Sequence, residues 1–147
     1  MTYTLQTFKV RLTVSEPVPQ KWVNTPKDSL PLLRTIFADL DADQEHFCLL
    51  TLNIQNKVTG YKVISSGGMS GTEIDFRLLF RAALALGGTS ILIAHNHPSG
   101  NPTPSQEDIA ITQRIKSAAD LLGFTLLDHI VLGDGIRYAS LRSDGNL

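Results

Sequence analysis

Phe8, Val10, Leu12 and Val14 alternate with Lys9, Arg11 and Thr13, the two-residue period of a half-buried strand. Ser15 to Pro26 carries three prolines and reads as a connection. Leu30, Leu33, Phe37 and Leu40 then fall at helical spacing, with Pro31 blurring where that helix begins. Phe47 to Ile54 and Val58 to Ser65 flank Gln55-Asn56-Lys57 and predict a hairpin. Beyond a Gly- and Ser-rich loop, Ser66 to Thr72, the residues Phe76, Leu79, Phe80 and Ala83 stripe a second helix that stops at Gly87-Gly88. Ser90 to Ala94 is short, apolar and β-prone, the pattern of a buried strand. Ile111, Ile115, Ala118 and Leu122 mark a third helix that Gly123 ends, and Thr125 to Leu132 with Ile136 to Leu141 predict a closing hairpin around Gly133-Asp134-Gly135. The pattern predicts an α/β fold, a mixed β-sheet with helices packed against it, free of repeats and low-complexity tracts.

Length and composition narrow this to one domain. A chain of 147 residues, 42% hydrophobic, suffices for one sizeable core and is short for two. The expectation is a single domain over 1–147, with its core at about 43–145 and an N-terminal strand and helix in 1–42. A net charge of −1 gives no diffuse attraction for nucleic acid, so no strong nucleic-acid binding is expected. The single cysteine, Cys48, excludes an internal disulfide framework, and its apolar strand predicts a buried thiol rather than a nucleophile. No apolar run approaches the ~18 residues of a membrane span, and Met1-Thr2-Tyr3-Thr4 has no signal-peptide layout, so a soluble cytoplasmic protein is expected. Nothing in the composition excludes a homo-oligomer.

The chemistry is concentrated after Ala94, where the chain reads His-x-His-Pro-x6-Ser-x2-Asp: His95, His97, Pro98, Ser105 and Asp108. In an extended segment, residues two apart share a face, so His95 and His97 point one way and Asn96 the other. Pro98 biases His97 toward the β region, and Gly100, Pro102 and Pro104 turn the chain. Ser105 begins a helix with Asp108 in its first turn, which can bring a carboxylate back toward the imidazoles. Two histidines and one aspartate supply three ligands for zinc and leave the fourth tetrahedral position open, as a catalytic site requires. Each part also has a plainer reading. The histidines could be hydrogen-bonded core residues, and Ser105-Gln106-Glu107-Asp108 fits a capping box. Cap and ligand are compatible, because Asp108 needs only one oxygen for a metal.

These residues resemble the JAMM (JAB/MPN-type) zinc metallopeptidases, and within them the RadC-like branch. His95, His97, Pro98, Ser105 and Asp108 match the JAMM pattern, while Asn96, Ser99, Gly100, Pro104, Asp128-His129-Ile130 and Ser140-Leu141 match its RadC-like version. The resemblance covers about Asp43 to Gly145. It implies a JAMM-type, cytidine-deaminase-like mixed sheet flanked by helices, with one zinc per chain held by His95, His97 and Asp108. It implies an upstream glutamate as general base, a protein or peptide substrate, and hydrolysis of peptide or isopeptide bonds.

Glu45, in Gln44-Glu45-His46-Phe47, matches the RadC-like opening and is taken as the base, ahead of Glu73 at a loop-to-helix junction and Glu107, which points to another side of its helix. Ser105 has two readings, a donor to the developing oxyanion and a helix cap. His129 is either a partner that orients a ligand or a buried structural histidine. The 66–72 loop lines a substrate groove or merely connects. His46 is expected at the surface, facing away from Glu45, and Trp22 and Tyr61 are expected to pack.

Four other functions are weighed. RadC-like proteins carry a DNA-repair label and a helix-hairpin-helix-like region ahead of the JAMM domain; the residues before Asp43 are too few for that region in full, so an accessory repair role gains little support. A zinc-binding protein-interaction domain without robust catalysis is the stronger alternative. An HNH nuclease takes its three named residues from separated positions of a ββα unit, and a zinc deaminase needs His-x-Glu and Pro-Cys-x-x-Cys, which this chain lacks.

Overall fold

The computed structural model describes residues 1, 2, 4–7, 9, 11, 12, 22–67 and 74–147. Phe8, Val10, Thr13 and Val14 of the strand expected over Phe8 to Val14, most of the 66–72 loop, and Glu73 lie outside the described residues. Helix α1 (Pro26–Ala38) is followed by strands β1 (Glu45–Leu52) and β2 (Val58–Gly67), helix α2 (Phe76–Leu86), strand β3 (Ser90–Asn96), helix α3 (Gln106–Leu122) and strands β4 (Thr125–Leu132) and β5 (Tyr138–Ser140). The strands form one sheet in the order β2-β1-β3-β4-β5. β1 runs antiparallel to both β2 and β3, β3 pairs in parallel with β4, and β5 returns antiparallel. The result is the mixed α/β sheet flanked by helices that the pattern predicts.

The central strands are buried on both faces, and side-chain alternation divides the core. Phe47 and Leu49 of β1 and Ile91 and Ile93 of β3 pack with Leu79, Phe80 and Ala83 of α2 and Ile115 and Ala119 of α3. Cys48, Leu50, Leu52, Leu92 and Ala94 face the other way, onto Leu32, Leu33 and Ile36 of α1. His95 and His97 share the parity of Ile91 and Ile93, so they emerge on the face that α3 covers. The fully buried Cys48 thiol has its pKa pushed up to about 12 by burial, consistent with an inert core residue.

Helix ends follow local chemistry. Pro26 opens α1 instead of closing the preceding connection, because a proline at the first helical position forfeits no hydrogen bond. The Asp28 carboxylate accepts from the Thr25 amide at 2.7 Å. Pro31 lies inside the helix, and the buried face is centred on Leu33 and Ile36, with Leu40 beyond its end. α2 and α3 both stop at a left-handed glycine, Gly87 (φ 75°) and Gly123 (φ 83°), as their positions predict. Among the described residues no helix is long and apolar enough to cross a membrane.

Two expectations are corrected. His46 faces away from Glu45, yet it is only 4% exposed: the chain leaving α1 covers it, and its ring bonds the Asp41 carbonyl at 2.6 Å and the Ser66 hydroxyl at 2.5 Å. Trp22 and Tyr61 are 52% and 42% exposed rather than packed, with Lys57 Nζ placed 5.8 Å from the Trp22 ring centroid. Tyr61 sits on β2, an edge strand, whose outer positions meet solvent.

β4 contains an irregularity that matters for the site. Ile91 pairs with Leu126 but Leu92 pairs with Asp128, so Leu127 is an extra residue in the ladder. Arg142 occupies the gap, its guanidinium donating to the carbonyls of Leu126 and Leu127. The bulge resets alternation, so Leu126 joins the α3-side core and His129, opposite Ile93, faces that side as well.

Candidate metal centre

Three chain segments meet at one end of the central strand. β3 ends at Asn96, delivering His95 from the sheet and His97 just beyond it. The antiparallel register pairs Phe47 with His95, so the start of β1, Glu45, lies opposite His97. The chain after His97 turns at once: the Gly100 amide donates to the His97 carbonyl at 2.9 Å, with Gly100 at φ 85°. A Cβ on Gly100 would sit 3.0 Å from an Asp134 oxygen, so this turn and the β4–β5 turn pack too closely for a side chain. α3 then starts at Ser105, whose hydroxyl accepts from the Asp108 amide at 3.0 Å while the Asp108 carboxylate accepts from the Ser105 amide at 2.8 Å. That reciprocal cap aims Asp108 at the histidines.

Glu45, His95, His97 and Asp108 each present one ligand atom, and these atoms lie within 4.8 Å of one another. The two imidazole Nε2 atoms are 3.0 Å apart. Asp108 Oδ1 is 3.3 Å from His95 Nε2 and Asp108 Oδ2 is 3.2 Å from His97 Nε2, whereas Glu45 Oε1 stands further out, 3.8 Å from His95 Nε2. Glu107 is exposed on α3, away from this group.

Both rings are anchored from behind. His97 Nδ1 donates to the Asn101 carbonyl at 2.8 Å, and His95 Nδ1 bonds His129 Nε2 at 2.7 Å. Phe47 lies nearly parallel to the His95 ring, 9° apart in plane with centroids at 6.1 Å. The outer nitrogens are thus engaged by protein and the inner ones converge with a carboxylate. Imidazole nitrogen and carboxylate oxygen, brought together at this spacing, suit a divalent transition metal such as zinc. The hydrogen bond to Asp108 raises the His97 pKa above the usual imidazole value. Burial acts to raise the Asp108 pKa, but the His95 and His97 imidazoles against its two oxygens outweigh it and hold the carboxyl well below the usual carboxylate range. Asp108 is therefore an anion at neutral pH, as a ligand must be.

His129 combines both readings weighed for it, since it is fully buried and also touches His95. Burial, then the neighbouring His95, lowers its pKa well below the usual value, and the ring is neutral. Its neighbour Asp128 accepts from the Ser140 hydroxyl at 2.5 Å and the Arg142 amide at 3.1 Å. Burial raises the Asp128 pKa despite those donors. Sequence reasoning missed two residues. Asn96, on the opposite face from the histidines, accepts from the His46 amide at 2.7 Å and donates to the Gln44 carbonyl at 2.9 Å, clamping the backbone on either side of Glu45. Thr112 bonds His129 Nδ1 at 2.5 Å. Its spacing from Asp108, one helical turn, was a signal that could have found it.

The sequence profile of the RadC-like JAB domain matches residues 23–146. The chain belongs to the RadC-like JAB family. A UPF0758 protein of Caldanaerobacter subterraneus subsp. tengcongensis is 40% identical over 123 residues, covering 84% of this chain and 52% of the relative. A UPF0758 protein of Desulforamulus reducens is also 40% identical, covering 84% and 53%. One of Gloeothece citriformis is 46% identical over 101 residues, covering 69% and 41%. The chain spans about half the length of the curated relatives it matches. Within this RadC-like JAB domain, the matched residues include all four that converge at the end of β3.

Proposed function

We propose that the chain is a zinc-dependent hydrolase of peptide or isopeptide bonds, a metallopeptidase of JAMM type. The observation that supports it is the convergence of Glu45, His95, His97 and Asp108 at the mouth of the central strand. In this reading His95, His97 and Asp108 hold one zinc. When bound, zinc lowers the pKa of a coordinated water from ~15.7 toward ~7 and polarises the scissile carbonyl.

The protein's own groups do the rest. Glu45, clamped by Asn96 and not required as a ligand, takes the proton of the attacking water and returns it to the leaving amine. The Ser105 hydroxyl accepts the Asp108 amide, and an acceptor bond leaves its own proton free to donate. Pointed at the developing oxyanion, such a donor contributes ~2.7 to 4 kcal/mol. Metal analysis of native protein is expected to give one zinc per chain, and a mass-resolved peptide library is expected to show zinc-dependent cleavage. Protein that neither contains zinc nor takes it up after chelation would overturn the metal site.

One observation favours a second reading. Glu45 is close enough to join the donor group, and a fourth protein ligand would close the site. The chain would then be a zinc-stabilised protein-interaction domain without robust catalysis.

A DNA-directed role is a poorer fit to the charge. The 13 basic residues are offset by 14 acidic ones, and His95 to Asp108 contains no Lys or Arg. The hypothesis is that this chain does not bind duplex DNA appreciably. Fluorescence anisotropy is expected to show no sub-micromolar binding at ~150 mM salt; tight binding with a steep salt slope would restore that role.

A further inference from the structure

His95 carries one ring proton when neutral, and only the nitrogen without it can bind a metal. Which nitrogen that is can be traced through the contacts behind the ring. The chain of bonds ends on the Asp108 backbone carbonyl, which can only accept. The Thr112 hydroxyl donates to it at 2.6 Å. That uses the single hydroxyl proton, so at the 2.5 Å contact between Thr112 Oγ1 and His129 Nδ1 the proton belongs to His129 Nδ1. The His129 ring is fully buried and, among the described residues, bonds no carboxylate, so it is neutral and Nε2 carries a lone pair. At 2.7 Å from that lone pair, His95 Nδ1 must be the donor. His95 Nε2 is left bare, pointing at His97 and Asp108.

We propose that Thr112 and His129 are positioning residues: together they hold His95 in the tautomer whose Nε2 lone pair faces the metal-binding group, and they tie that choice to the backbone of Asp108. The relay connects two of the four converging residues through groups that do not themselves join the cluster. Every hydrogen in it has one place to go. Removing the Thr112 hydroxyl frees His129 to turn over to its other tautomer, donating from Nε2 to His95 Nδ1. The His95 proton then moves to Nε2, the metal-facing atom. Each ring keeps one proton, and the site loses a ligand lone pair.

The proposal rests on the metal reading given above, and the test separates the two. Long-range ¹H–¹⁵N NMR of the metal-free wild-type protein reads the His95 tautomer directly and needs neither metal nor activity. The expected result is a protonated Nδ1 and a bare Nε2; a protonated Nε2 overturns the relay. Thr112→Val, which keeps the branched shape, is expected to shift that tautomer and weaken zinc by about 10- to 100-fold in chelator competition, the range typical of groups behind a metal ligand. Thr112→Ser, which keeps the hydroxyl, is expected to restore both readouts. A merely structural role would follow the loss of the methyl and predict the reverse order. If Thr112→Val leaves tautomer and zinc affinity unchanged, the relay is wrong. If the tautomers behave as stated while wild-type protein takes up no zinc, the relay stands and the metal reading falls. Should Thr112→Val fail to fold, the wild-type tautomer alone still decides.

Discussion

Asp108→Ala is expected to strip the protein of zinc, with an affinity loss exceeding the ~10- to 100-fold that outer partners of a metal site cost. Asp108 is the one residue of the group that contacts both histidines, through Oδ1 to His95 and Oδ2 to His97. The same carboxylate also closes the cap at the start of α3, so alanine removes two things at once. Asp108→Asn separates them. Its amide oxygen can still accept from the Ser105 amide, while the negative charge is gone. Both variants are expected to lose zinc in a chelator titration, and only Asp108→Ala is expected to destabilise the metal-free protein, by roughly 0.5–2 kcal/mol as lost caps do. Full zinc retention by Asp108→Ala would remove this residue from the ligand set.

Glu45→Gln is expected to leave zinc affinity nearly unchanged and to lower turnover by ~100- to 10,000-fold, the usual contribution of a general base. The prediction rests on distance and chemistry: Glu45 Oε1 is the outermost of the converging atoms, 3.8 Å from His95 Nε2, and a glutamine of equal size cannot take a proton. Zinc affinity and peptide cleavage are measured on the same preparations. A drop in zinc affinity matching that of Asp108→Ala would instead make Glu45 a ligand, close the coordination sphere and favour the interaction-domain reading. Unchanged cleavage would move the base to another carboxylate, Glu73 being the next in sequence.

Much of this was legible because period and punctuation agree. The stripe from Phe76 to Ala83 and the glycines at 87 and 123 define helices whose ends fall where local rules put them. The His-x-His spacing on a strand, followed by a capped helix bearing Asp108, carries the site because backbone geometry alone sends those side chains to one face. What could not be read depended on who lies across the sheet. His46 looks like a surface residue until the segment leaving α1 covers it. Asn96 looks idle until β1 arrives antiparallel, some 50 residues removed in sequence, and offers it the backbone on both sides of Glu45. Proline at position 31 obscured α1 because propensity penalises it regardless of what the buried face of Leu33 and Ile36 recovers by packing.

The extra residue in β4 gives that strand a different kind of constraint from its neighbours. Surface turns such as Gln55 to Lys57 can change length with little consequence beyond themselves. In β4 it is the bulge that matters, since a regular ladder that took Leu127 into the pairing would shift the phase of everything after it. Ironing out the bulge with Leu127 retained would leave the composition of the strand intact while turning His129 away from His95 and carrying Asp128 toward α3, away from Ser140 and Arg142. Excising Leu127 would instead close the bulge and keep Asp128 opposite Leu92 and His129 opposite Ile93. The break in the ladder acts at a distance, so the contacts that Arg142 makes with the Leu126 and Leu127 carbonyls are as much a part of the site's specification as the histidines. Descendants of this chain would be free to lose Leu127 together with the bulge, but not to lose the bulge and keep the residue.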